Sequence, residues 1–315
     1  MSNIIGQIFR LTTFGESHGV AVGGVIDGCP SRVAIDIDAI RCDLRRRRGD
    51  GMESVTSRHE PDDVEWLSGI LDDQTLGTPI AFMVYNRDAH SDDYQQYRDI
   101  FRPGHSDYTW QQRYGIRDWR GGGRSAARET LSRVVAGAIA KQVLSQRGIC
   151  VTAELDTISN TLTNDTVGGT VRCVVTGAPV GLGEPIFGKM QSQLAAAMLS
   201  IPSVTGFEFG EGFHAAAMFG SEYIDRWNSD FTTQTNHCGG LQGGLTNGMP
   251  VIFRVAFHPV VTIPQPLPCV DKEGHEHVVE PKGRHDRSHV QRAVVVVEAM
   301  AALVMVDNLL MANKY

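Results

Sequence analysis

The 315-residue chain has no CxxC pair; its six cysteines, Cys29, Cys42, Cys150, Cys173, Cys238 and Cys269, lie far apart. That spacing argues against a structural zinc site or a disulfide framework and fits a reducing compartment. Basic charge is not in excess. A formal net charge of -7 and a pI near 5.9 argue against a general nucleic-acid binder. No apolar N-terminal core with a cleavage site is present, so no signal peptide is read and a cytoplasmic location is expected. Long linkers, low-complexity tails and repeats are also missing, so residues 1–315 are expected to form one domain. The most apolar stretch, Ala293 to Met311, contains Glu298, Asp307 and Asn308. It reads as a buried helix of a globular protein, and no membrane partner is expected.

Glycine, by contrast, is abundant: 34 residues concentrated in a few segments. The central one is Arg120-Gly121-Gly122-Gly123-Arg124-Ser125-Ala126-Ala127-Arg128-Glu129-Thr130. Three consecutive glycines open backbone conformations closed to other residues and let a ligand approach the main chain. Ser125 can cap a helix, whose apolar stripe runs through Ala127, Leu131, Val134, Val135, Ala138, Ile139 and Val143. A glycine loop feeding a helix N-terminus favours an anion, and Arg120, Arg124 and Arg128 add positive charge there.

Elsewhere the pattern predicts strands at Ile4 to Phe14, Val20 to Ile26, Trp66 to Leu71 and Pro79 to Tyr85. Further strands are predicted at Val151 to Leu155, Val171 to Thr176 and Val251 to Phe257. Helices are predicted from Asp36 or Asp38 into Arg45-Arg46-Arg47-Arg48, over Met190 to Ser200, and over Val290 to Met311. Residues 49–63 and Arg102-Pro103-Gly104-His105-Ser106-Asp107 read as loops.

Three constellations carry chemistry. Gly15-Glu16-Ser17-His18-Gly19 fits G-x-S-x-G, the nucleophile elbow of serine hydrolases, but the residues after it are strand-like where the elbow needs a helix. A hairpin turn, or a histidine held in a ligand pocket, competes with that reading. His285 and His289 are four apart, with His275-Glu276-His277 nearby in sequence. No third ligand has recognisable spacing, so no metal site is expected. The run Arg45 to Arg48 reads either as the solvated end of a helix or, with Arg58, as a clamp for a polyanion.

Four segments in order, Phe14-Gly15-Glu16-Ser17-His18-Gly19, Arg102-Pro103-Gly104-His105, Arg120 to Thr130, and Gly283-Arg284-His285-Asp286, closely resemble the chorismate synthase family. The resemblance runs nearly end to end. It implies an α+β fold, a helical layer sandwiched between antiparallel sheets, assembled as a homotetramer. It implies a lyase that converts 5-enolpyruvylshikimate 3-phosphate to chorismate and phosphate by 1,4-elimination. That reaction requires reduced FMN without net redox change; whether the chain reduces its own flavin with NADP is left open. It further implies catalytic roles for His18 (acid toward the leaving phosphate), His105 (beside the flavin) and Asp286 (assisting proton removal). Arg48, Arg120 and Arg124 would bind substrate. Arg124, Ser125, Ala126, Gly243, His258, Pro259, Val260, Val261, Thr262 and Arg284 would bind the cofactor.

The chain departs from the family pattern at several of these points. His258-Pro259-Val260 stands where Lys-Pro-Thr is usual, and Pro202-Ser203 where Asn-Ala is common. The loop after Arg48 lacks Pro-Gly, Glu53 occupies a position often basic, and Ala126 replaces a serine. The segment Asp156 to Gly169 is a few tens of residues shorter. These changes bear on flavin and substrate affinity. They keep two alternatives in view: a related protein of the same fold with little activity, and a serine hydrolase built on Ser17.

Overall fold

Val290–Ala312 forms one helix of 23 residues and is the centre of the molecule. Apolar residues occupy nearly every position, so the helix has no face to offer water and is buried all round. By length and composition it could cross a membrane, yet 89% of its most apolar window is buried inside the protein. Thr130–Ser145 crosses it so closely that a β-carbon on Gly137 would fall 2.3 Å from Ala299 Cβ. Ile37–Arg48 and Met190–Leu199 complete the helical layer. This is a computed structural model, and it describes residues 3–50, 60–89, 91–158, 165–263, 265–280 and 287–312.

An antiparallel sheet lies on each side of that layer. The first runs in the order Ile4–Ile5, Arg10–Phe14, Ala21–Asp27, Ile80–Tyr85, Glu65–Trp66 and packs on the Thr130–Ser145 helix. The second runs Val204–Phe209, Val251–Phe257, Gly169–Thr176, Cys150–Ile158 and packs on the last helix. Strict alternation in Ile80–Tyr85 and Val251–Phe257 turns every second side chain into the core. One continuous core joins both sheets through the helices. The α+β architecture expected from the sequence is the one observed. A smaller sheet pairs Glu276–Val279, Leu267–Asp271 and Ile100–Phe101.

Three buried polar residues of the last helix, Glu298, Asp307 and Asn308, each satisfy a buried need. Glu298 receives both terminal nitrogens of Arg46 at 2.7 Å, Lys141 Nζ at 3.2 Å and the Ala153 amide at 3.1 Å. Asp307 accepts the amides of Gln7, Ile8 and Phe9 at 2.7–3.0 Å. Asn308 exchanges hydrogen bonds with Gln193.

The structure also corrects the sequence reading. Ile4 to Phe14 is two strands, because the chain turns at Gly6 (φ +93) and Asp307 takes up the next three amides. Asp107–Tyr114 is a helix that the sequence reading did not predict. Most important, Ser125 caps no helix. Gly123–Ser125 and Ala127–Glu129 are short 3-10 turns separated by an extended Ala126, and the long helix begins only at Thr130. Its N-cap position holds Glu129, so the expected helix-terminal anion site is not formed there.

Candidate active site

The glycine loop is tied to the first motif. The Ser17 amide donates to Gly123 O at 3.1 Å. Ser17 Oγ faces the carbonyls of Gly121 (3.2 Å) and Arg120 (3.4 Å), and the residue is only 3% exposed. Gly121 has φ +59, and a β-carbon there would collide with His18 and Ser17 Oγ. His18 is half-buried, with the Tyr94 ring edge-on at 4.9 Å. Asn86 braces the loop from below. Its amide donates to Glu16 O (3.0 Å) and Gly19 O (2.9 Å), and its oxygen accepts Arg128 Nε at 3.0 Å. Because the strand Ala21–Asp27 comes directly after the motif, the turn is strand–turn–strand and lacks the helix of a hydrolase elbow.

The second motif joins the same loop from the other side. Ser106 Oγ and Ser125 Oγ are 2.6 Å apart, and Ser125 Oγ also bonds Gly122 O. Asp107 fixes the turn: it accepts Arg102 N, Nε and Nη2, and Arg117 Nη1. Burial raises the Asp107 pKa, but the Arg102 bonds outweigh it and hold the carboxyl below its usual value. Gly104 packs on Val261, where a β-carbon would be 2.9 Å from Val261 Cγ1. His105 Nδ1 lies 3.0 Å from Pro103 O, and Nε2 lies 3.1 Å from Thr262 Oγ1. A carbonyl only accepts, so Nδ1 carries the proton and Nε2 accepts from Thr262. Burial, then Arg102, lowers the His105 pKa, so the ring is neutral at pH 7.

Three cavities surround this assembly. One of about 420 Å³ is bounded by Thr13, Gly15, Trp110, Asp118, Arg124 and Ser125. A larger one, about 740 Å³, shares Thr13, Arg124 and Ser125 and reaches Pro202 and Asp307. The third, about 250 Å³, is lined by His105, Ser203, Val260, Val261, Thr262 and His289, with Arg47 and Arg292. In that cavity residues the sequence reading missed come forward. His289 Nε2 and Arg47 Nε are buried without a hydrogen-bond partner. Burial, then Arg292 and His258, pushes the His289 pKa down to about 4. Only the four-arginine run hinted at Arg47; nothing in the local pattern marked His289 except its pairing with His285, which pointed to a metal.

Not every expected residue converges. Arg124 lines two cavities and donates to Thr13 O at 3.1 Å. Arg120 is held by Asp118 through two side-chain bonds of 2.8 and 2.9 Å. Arg48 is turned to Asp50 and to the carbonyls of Glu60 and Pro61. Its neighbours Arg46 and Arg47 pair with Glu298 and Asp62, and Arg45 is exposed, so the solvated-end reading holds for Arg45 and not for the run as a whole. Gly243 sits in the turn between Leu241–Gln242 and Leu245–Thr246 and lines none of the three cavities. His258 Nδ1 bonds Pro259 O at 2.6 Å, and its ring meets His289 edge-on at 6.3 Å. Arg284, His285 and Asp286, like Glu53 and Arg58, lie outside the described residues.

Comparison with known proteins bears on the same segments. The family model described as chorismate synthase matches residues 9–164 and 159–310. A chorismate synthase of Christiangramia forsetii is 47% identical over 343 aligned positions, covering 97% of this chain and 96% of the relative. One of Synechocystis is 45% identical, covering 98% of each. A crystal structure of a chorismate synthase superposes with a TM-score of 0.75 at 28% identity, over 98% of this chain and 93% of the other. The alignment with the Christiangramia protein is longer than the chain itself, and the family match breaks and resumes at 159–164, where the sequence reading placed the shortening. Matched along nearly its whole length by relatives of such identity, the chain belongs to the chorismate synthase family.

Proposed function

We propose that the chain is an active enzyme of this family. It converts 5-enolpyruvylshikimate 3-phosphate to chorismate and phosphate by 1,4-elimination, with reduced FMN bound and no net redox change. The observation that carries the reading is a convergence: the 14–19, 102–107 and 120–125 segments meet through Ser17, Gly121 and the Ser106–Ser125 contact.

His18 is the acid that protonates the departing phosphate, a task suited to an imidazole near neutral pH. Arg124 lines the adjoining cavities and receives the substrate's anionic groups, with Arg120 and Arg48 as further cations once their Asp118 and Asp50 partners are exchanged. Neutral His105 keeps its one proton on Nδ1, against Pro103 O, and its Nε2 takes up a proton when negative charge arrives beside it. Asp286, Arg284 and the turn at Gly243 keep the roles the family resemblance gives them.

The residues fit a flavin nucleotide. The 250 Å³ cavity has apolar walls at Val260, Val261 and Ile201 and cationic side chains at Arg47 and Arg292. It also has a buried, unpartnered His289 Nε2. Reduced FMN, when bound, supplies the electron-rich ring that an elimination without net redox change requires. Val260, Val261, Thr262 and Ser203 would hold it there, while Arg124, Ser125, Ala126, His258 and Pro259, outside that cavity's lining, keep the roles the family resemblance gives them. Residues 1–315 act as one cytoplasmic domain in this reading. Assembly into a homotetramer is supported by the exposed Phe213, Phe219, Trp227 and Phe231, apolar surface that a partner subunit would cover.

Purified protein, given FMN, dithionite and substrate, is expected to generate chorismate absorbance. Flavin binding without product would instead favour the inactive relative, a reading that His258 and Pro202 keep alive. Absence of both outcomes removes the proposal.

A further inference from the structure

The hairpin of Leu267–Asp271 and Glu276–Val279 carries a cluster that takes no part in the site above. His275-Glu276-His277 lacks a third ligand by sequence spacing; the fold supplies one. The strands pair antiparallel with Cys269 opposite His277, and the Asp271 amide donates to His275 O at 3.0 Å. Side chains alternate along each strand, so Asp271, His275 and His277 share a face. Asp271 Oδ1 accepts the amides of Glu273 (3.0 Å) and His275 (2.8 Å), which fixes the carboxylate. Its other oxygen then meets both rings. His275 Nδ1 is 3.0 Å and His277 Nε2 2.9 Å from the same Oδ2. The ligand atoms of Asp271, Glu273 and His275 all lie within 4.8 Å of one another. Lys272, the adjacent cation, is turned to Asp99, just before the neighbouring strand Ile100–Phe101, at 2.5 Å and does not neutralise the group.

We propose that this hairpin tip binds a zinc-class divalent ion through Asp271 Oδ2, His275 Nδ1 and His277 Nε2, with Glu273 as the fourth ligand. Two imidazoles with carboxylates suit zinc, cobalt or nickel, whereas magnesium and calcium prefer oxygen alone. Bonds of about 2.0–2.1 Å in a tetrahedron place ligand atoms roughly 3.3 Å apart. The gap from each nitrogen to Oδ2 need open only slightly, whereas His277, which is not among the residues whose ligand atoms lie within 4.8 Å of one another, must swing its ring in to join Asp271, Glu273 and His275. Each ring now donates an N–H to Oδ2. The nitrogen that binds the ion gives that proton up, to the ring's other nitrogen or to water. Hydrogen bonds, that of His277 first, hold the Asp271 carboxyl below the usual carboxylate range, so it is already an anion. The ion would brace the sheet whose third strand, Ile100–Phe101, leads directly into the His105 loop.

The test is calorimetric titration of zinc chloride into the chelator-stripped full chain, with cobalt(II) absorption as a second readout. One ion per chain is expected, undisturbed by excess magnesium. His275→Ala and His277→Ala, both exposed, should each weaken it beyond the roughly 10- to 100-fold typical of losing an outer-shell partner. Stoichiometric binding that fails to appear, or that survives both substitutions, overturns the proposal. So does binding lost in a Cys42→Ser, Cys150→Ser variant, which would place the ion on the exposed thiols.

Discussion

A β-carbon on Gly121 would fall 2.5 Å from His18 Cδ2 and 2.6 Å from His18 Nε2. Glycine is needed here twice over, for its φ of +59 and for the space that the imidazole occupies. Gly121→Ala is therefore expected to displace the His18 ring. Turnover should drop while the far-ultraviolet spectrum is kept. Normal turnover in this variant would separate His18 from the chemistry.

His18→Ala and His105→Ala should each lower turnover by about 100- to 10,000-fold, the usual worth of general acid–base help. His105 lines the 250 Å³ cavity, and half-buried His18 sits on the loop whose Gly15 and Glu16 border the 420 Å³ one, so little packing is lost. Rates under saturating reduced FMN decide the matter, and a near-wild-type rate strikes that histidine from the mechanism.

The layers of this fold were legible because periodicity survives where packing is regular. Val251–Phe257 occupies the predicted span, and Val290–Ala312 nearly so. The site was legible in its motifs but not in its geometry. Ser125 looked like a cap, yet the extended Ala126 interrupts the helix that it would have begun. The arginine run read either as a solvated helix end or as an anion clamp, because the partners of Arg46 and Arg47, Glu298 and Asp62, lie in other elements. His289 gave no local sign of its place beside Arg292 and His258. The Ser125 miss is one of local backbone conformation; the arginine and histidine misses are tertiary pairings, which no local pattern encodes.

Glu298 joins Arg46, Lys141 and the edge strand through the Ala153 amide. Burial raises its pKa, but Arg46 and Lys141 outweigh this and the net shift is downward. Glu298→Ala leaves the Ala153 amide unpaired and leaves Arg46 and Lys141 with Asp43 as their remaining carboxylate. A loss of about 3 kcal/mol is expected, at the low end for a broken buried pair because Arg46 is partly solvated. Urea denaturation at pH 7 measures it; a change under about 1 kcal/mol would mean that the network relaxes.

His289 makes stability depend on pH. Its folded-state value near 4 lies below the ordinary 6.5. Between those values the unfolded chain binds the extra proton, so stability is full above about pH 6.5 and falls as pH drops toward 4. The contribution lost is roughly 3 kcal/mol. His289→Leu should flatten the urea-midpoint profile over that window relative to the wild type. Parallel profiles would show that His289 protonates freely in the folded protein.

His258 gives the last prediction, at the place where the chain departs from its family. Its Nδ1 is held by Pro259 O at 2.6 Å, which makes Nε2 the nitrogen that gains a proton. Histidine gains and loses a proton in the physiological range, where lysine keeps its charge. A phosphate bound beside the ring favours its protonated form. FMN affinity should therefore strengthen as pH falls. Protonation of the phosphate itself near ~pH 6 flattens the acidic end. His289 opposes the effect from 6.3 Å only once it is itself charged, which happens near pH 4. His258→Lys should consequently tighten FMN binding at pH 8 and remove most of the slope. Titration of FMN into both proteins between about pH 5.5 and 8.5 is the measurement. Superimposable curves would mean that the phosphate lies elsewhere, and the cationic wall formed by Arg47 and Arg292 would then be the next place to look.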